Sequence, residues 1–108
     1  MHLDAVAHNT ALFVAATKAA VMAVVKADGF GHGAVQVAKA ALSAGATWLG
    51  VTTCAEALQL REAGITAPIL SWMHSPLEDF GPALLADVDL SVSSREHLRA
   101  VAASAVRL

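Results

Sequence analysis

The sequence predicts an α/β fold with a parallel sheet, and three observations carry that prediction. Short apolar runs alternate with stretches of helical period along the whole chain. Glycine, threonine or serine punctuates nearly every changeover. The composition, 56% hydrophobic and 15% charged over 108 residues with a mean hydropathy of +0.59, is that of strands buried on both faces or of apolar surfaces awaiting cover. Disorder is excluded, because disordered chains are poor in apolar residues.

The elements follow in order. Leu3 to Lys18 places Leu3, Val6, Ala7, Ala11, Val14 and Ala15 close to helical spacing, with Asp4 available to its first turn. Ala20 to Lys26 reads as a buried strand built on Val21, Val24 and Val25, and Asp28 to Gly33 as the loop after it. Ala34 to Ala44 reads as a helix stopped by Gly45. Trp48 to Thr52 is a second strand. Cys54 to Ala63 is a helix whose Thr53 and Glu56 have capping-box spacing, with Gly64 beyond it. Pro68 to Trp72 is a third strand, with proline at its start where a missing donor is tolerated. His74 to Asp79 is a loop, Phe80 to Ala86 a short helix, Leu90 to Val92 a fourth strand. Ser93-Ser94-Arg95-Glu96 opens a last helix to about Val106.

Four strands separated by helices require parallel pairing through right-handed crossovers. The spacing suits either an open doubly wound sheet or a (β/α) barrel, and periodicity does not choose between them. A complete eight-stranded barrel takes ~250 residues, so about four βα units would be half of one.

Charge and targeting signals narrow the function. The net charge of -2 and pI of about 6.2 give no basic stripe, which argues against nucleic acid as a partner. The longest apolar run, Ala19 to Val25, is seven residues, against the roughly 20 of a membrane helix. The first residues lack a basic region followed by an apolar stretch, so no signal peptide is read and a cytoplasmic protein is expected. Cys54 is the single cysteine, and no histidine pair has zinc spacing, so no metal site is expected.

Lys26 is the most informative residue. It closes the apolar run Val21 to Val25 and precedes a glycine-rich loop, which would place it at the carboxyl edge of a parallel sheet, where active sites of such folds lie. Apolar surroundings disfavour the ammonium form, and a neutral amine is a nucleophile toward an aldehyde. On pattern alone the simpler reading is a lysine that leaves a strand and reaches water. Gly29, Gly31 and Gly33 permit close backbone approach to a phosphate or ring, yet their spacing is not a nucleotide fingerprint. His32 and His74 could approach the same edge, though both read more simply as solvated loop residues. Glu56 and Arg61 read as surface polar residues of a helix, and Ser93-Ser94 as a helix start rather than a nucleophile.

The stretch Ala23-Val24-Val25-Lys26-Ala27-Asp28-Gly29-Phe30-Gly31-His32-Gly33 resembles the pyridoxal-phosphate attachment motif of alanine racemases, A-V-V-K-A-(N/D)-(A/G)-Y-G-H-G. Leu3 to Asn9 is similar to that family's first helix, Glu56 to Ile65 to its E-A-x-x-L-R-x-x-G-I segment, and Pro68 to His74 to its third strand in actinobacterial members. The resemblance runs in order over essentially the whole chain.

It implies that residues 1–108 are the N-terminal half of a (β/α)8 barrel, a partial barrel of about four βα units, and that the family's C-terminal β domain is absent from these residues. The family works as a head-to-tail homodimer on alanine to supply D-alanine for peptidoglycan. It implies that Lys26 holds pyridoxal 5'-phosphate and acts as the base on one face of the substrate carbon. Val24 would line the pocket below the lysine and Trp72 would pack beside the cofactor. Phe30 stands where the family usually has a tyrosine bonded to the cofactor phosphate, a loss of order 1 kcal/mol. The family's second base is a tyrosine from the partner's C-terminal domain, and this chain contains no tyrosine. The expectation is therefore an alanine racemase fragment without activity of its own. The alternatives are a non-catalytic pyridoxal-phosphate-binding barrel protein, a self-associating structural half-barrel and a decarboxylase of the same barrel type.

Overall fold

The strands are short and all point the same way. In the computed structural model, which describes residues 3–26, 33–72 and 78–108, β1 (Met22–Val24), β2 (Trp48–Val51), β3 (Ile69–Ser71) and β4 (Val88–Leu90) form one sheet in the order β1-β2-β3-β4. Every pairing is parallel, with Met22 against Trp48, Leu49 against Ile69 and Ile69 against Val88. The helices are α1 (Leu3–Ala16), α2 (Ala34–Ser43), α3 (Cys54–Glu62), α4 (Gly81–Leu85) and α5 (Arg95–Val106). A strand order that never reverses has no switch point. It is the winding of a barrel wall, and it removes the doubly wound alternative.

Side-chain alternation divides the sheet into two faces. Val25, Leu49, Val51, Ile69 and Val88 point to one face and are fully buried or nearly so. That face meets small residues of the helices, Ala34 and Ala38 of α2, Cys54, Ala57 and Leu60 of α3, and Ala83 of α4, and together they form the core cluster. Alanine at these positions lets helix and strand backbones approach, while Leu49, Leu60, Ile69 and Phe80 supply the bulk, each contributing roughly 1.5–3 kcal/mol by leaving water. The other face carries Met22, Val24, Trp48, Gly50, Leu70 and Asp89 and has no helix over it among the described residues.

Local chemistry explains the helix ends. Thr53 and Glu56 form the expected capping box, each side chain bonded to the other's backbone N–H. Ser94 caps α5 by accepting from His97 N–H. Gly45, at φ +113°, follows the end of α2, where a side chain would be strained and would also press on Val14 of α1. Phe80, buried before α4, donates its N–H to Ser104 Oγ of α5 and lies 5.5 Å from the His97 ring, so α4 and α5 are fastened together.

Most elements end about a residue away from the expectation, and the larger differences are at α1, β1 and β4. α1 ends at Ala16 rather than Lys18. β1 ends at Val24, and the backbone is already helical at Lys26. The fourth strand is Val88–Leu90 rather than Leu90 to Val92. Val88, Leu90 and Val92 share one alternation, so the pattern fits both placements. The pairing of Val88 with Ile69 and the turn at Asp87, held at φ 56°, fix the earlier one.

Candidate functional site at the carboxyl rim

The carboxyl ends of the strands share one rim, and Lys26 stands on it. Val25 N–H still donates to Gly50 O at 2.9 Å, and Lys26 follows directly, half-buried. Two residues earlier Val24 lies on the uncovered face, 41% exposed. Trp72 follows the end of β3 and lies back across β2. A Cβ added to Gly50 would sit 2.7 Å from its ring and 3.0 Å from Met22 Sδ. Glycine at 50 is thus required by the close approach of the indole, and the result is an apolar floor of Met22, Gly50 and Trp72 below the rim.

The structure therefore brings Lys26, Val24 and Trp72 to one end of one face. Phe30, His32 and His74, together with Gly29 and Gly31, lie outside the described residues. A cavity of about 550 Å³ bordered by Trp48, Arg61, Pro68, Leu84, Val88 and Asp89 opens at the amino ends of the strands, away from Lys26. In barrel folds that edge serves stability rather than chemistry.

Two residues read as surface polar groups are not. Glu56 Oε1 accepts from Thr52 N–H at 2.9 Å, from Thr53 N–H at 3.0 Å and from the Thr52 hydroxyl. Arg61 donates through Nε to Ala86 O, through Nη1 to Ile65 O and Ala67 O, and through Nη2 to Asp87 O, all between 2.7 and 3.0 Å. Its planar fork ties the end of α3 to the segments that lead into β3 and β4. Capping-box spacing announces the pairing of Glu56 with Thr53, but its bonds to Thr52 and those of Arg61 to four backbone carbonyls are not revealed by any periodicity.

Cys54 begins α3 just behind the rim. Burial, then the charge and hydrogen bond of Glu78, push its thiol up from 9.0 to about 11, against a smaller opposing hydrogen bond from Ser71. A thiol so held is protonated at neutral pH and is not a nucleophile.

Four parallel βα units in unbroken order, with an amine on the carboxyl rim, define this chain as part of a (β/α)-barrel wall. Residues 1–108 match the family "Alanine racemase, N-terminal domain" over their length, and the chain belongs to that family. It is 66% identical over 93 residues to the alanine racemase of Mycolicibacterium vanbaalenii, covering 85% of this chain and 24% of the relative. It is 56% identical over 107 residues to that of Mycolicibacterium smegmatis, covering 98% and 28%. Among solved structures, alanine racemase from the D-cycloserine producing Streptomyces lavendulae superposes with a TM-score of 0.91 at 47% identity, over 97% of this chain and 28% of that one. The chain thus spans about a quarter of the length of these relatives.

Proposed function

We propose that these residues are the N-terminal half of an alanine racemase barrel, that Lys26 is the attachment point for pyridoxal 5'-phosphate, and that the full-length parent interconverts L- and D-alanine as a cytoplasmic homodimer supplying D-alanine for peptidoglycan. The observation that carries the reading is the position of Lys26. It lies at the carboxyl rim directly after the buried Val25, above an apolar floor that includes an indole ring.

The groups present fit such a cofactor. A primary amine can condense with an aldehyde, and the flat surface at Gly50 and Trp72 suits a planar ring. Val24 would border the ring below the amine, and Phe30 would give it a packing contact without a hydroxyl for the phosphate. Bound there, the cofactor would supply an electron sink that acidifies the substrate's α-hydrogen. Lys26 Nζ would then take or return that proton on one face. The opposite face needs a second base, which the family draws from a tyrosine, and no tyrosine is present in this sequence.

The test is to incubate the 108-residue chain with pyridoxal 5'-phosphate, reduce with borohydride and map the modified peptide by mass. The expected adduct is on Lys26. An adduct concentrated on Lys18 or Lys39 instead would refute the assignment. The same chain, given alanine and cofactor in deuterium oxide, is expected not to racemise alanine, and measurable interconversion of the two enantiomers would show that a second base is supplied from within these residues.

A further inference from the structure

A parallel ladder alternates its bonds, so after Val25 N–H to Gly50 O the next donor on β2 is Thr52 N–H. Here that N–H turns away from β1 and binds Glu56 Oε1 at 2.9 Å. The same oxygen takes the Thr53 N–H and the Thr52 hydroxyl. A capping box requires only the bond to the Thr53 N–H and its reciprocal from Glu56 N–H to Thr53 Oγ1, which is present at 3.1 Å. The two bonds to Thr52 are additional, and they act on the strand rather than on the helix. The register that sets Val24 against Gly50 puts Lys26 level with Thr52 two residues further on. At that level β1 has left the sheet and its backbone is helical.

We infer that Glu56 is a positioning residue for Lys26: by taking both donors of Thr52 it ends the β1–β2 ladder and fixes where Lys26 turns off the sheet. The carboxylate is itself favoured in the first turn of α3, where the helix dipole is positive, so the device is stable without a cation. The inference rests on the proposed role of Lys26 as the amine that meets an aldehyde.

The experiment uses the 108-residue chain with pyridoxal 5'-phosphate as probe, borohydride trapping and peptide mapping. Exposed Lys18 and Lys39 serve as references within the molecule. Thr52→Val removes the hydroxyl donor, and Glu56→Ala removes the acceptor. Thr52→Ser and Glu56→Gln keep each group. Loss of a hydrogen bond to a charged group predicts a Lys26-to-Lys39 adduct ratio about tenfold lower in Glu56→Ala and roughly threefold lower in Thr52→Val. The two conservative variants should stay within about twofold of the unaltered chain. A ratio unchanged in Thr52→Val and Glu56→Ala overturns the inference while leaving Lys26 as the attachment point. An unaltered chain that shows no preference for Lys26 overturns the reading beneath it. Should Glu56→Ala lose its far-ultraviolet helix signal, Thr52→Val alone decides.

Discussion

At the scale of single residues, Cys54 offers a titration that reports on the packing behind the rim. Its folded pKa of about 11, against an ordinary 9.0, means that the native state holds the thiol proton longer than the unfolded chain does. Between those values the unfolded state binds fewer protons, so stability falls as pH rises. The contribution is complete below pH 9 and is lost towards pH 11. Two units correspond to about 2–3 kcal/mol at most. Urea unfolding of the unaltered chain and of Cys54→Ala, compared at pH 8 and pH 10.5, should show the stability of the former falling further by about 1–2 kcal/mol. Parallel pH profiles for the two would show that the thiol is not so held. Local sequence served well at this scale where the partner is near in the chain. Thr53 and Glu56 are three residues apart, and their capping box was legible. Arg61 reaches Ala86 and Asp87, more than twenty residues on, and nothing in its helix marks it as anything but a surface charge.

At the scale of elements, the hydrophobic pattern was sound about type and loose about ends. Among the described residues the four strands and five helices have the kinds expected. The first three strands run only three or four residues and so stop short of the runs that announced them, while β4 is displaced by two residues. The cause is visible at β1, where Val25 and Lys26 belong to the expected strand but the next donor of the ladder, Thr52 N–H, is taken by Glu56. Helix packing is stricter than the pattern suggests. Ala57 of α3 is 0% exposed in the core cluster, against the covered face of the sheet. Ala57→Leu keeps the apolar pattern and improves no propensity. Its three added carbons have no room without moving α3, at a cost of about 1–3 kcal/mol. Thermal unfolding should show a lower midpoint for Ala57→Leu, and for the exposed neighbour Ala55→Leu essentially none. Equal midpoints would mean that α3 shifts on the sheet without cost.

At the scale of the whole molecule, the sequence could name a parallel α/β wall but not choose its winding, because strand order is a property of long-range pairing that periodicity does not encode. The observed order gives β1 and β4 as the two edges of the sheet within the described residues. Among the described residues it also leaves one face without helices, where Met22 and Val24 are 36% and 41% exposed and Leu70 is half-buried. Parallel sheets are ordinarily covered on both sides. Bare edges pair readily with other strands, and apolar patches of this kind associate. A net charge of -2 supplies little repulsion to prevent it. The 108-residue polypeptide should therefore self-associate, eluting above its 11.1 kDa monomer mass in a concentration-dependent way. Met22→Lys and Val24→Lys on the β1 edge place charge on that face without touching the covered core. Together they should shift elution towards the monomer, while Leu12→Lys on the exposed side of α1, remote from the sheet, should not. A monomer at every concentration, or an equal response to the α1 substitution, would mean that the bare sheet is not what holds copies together.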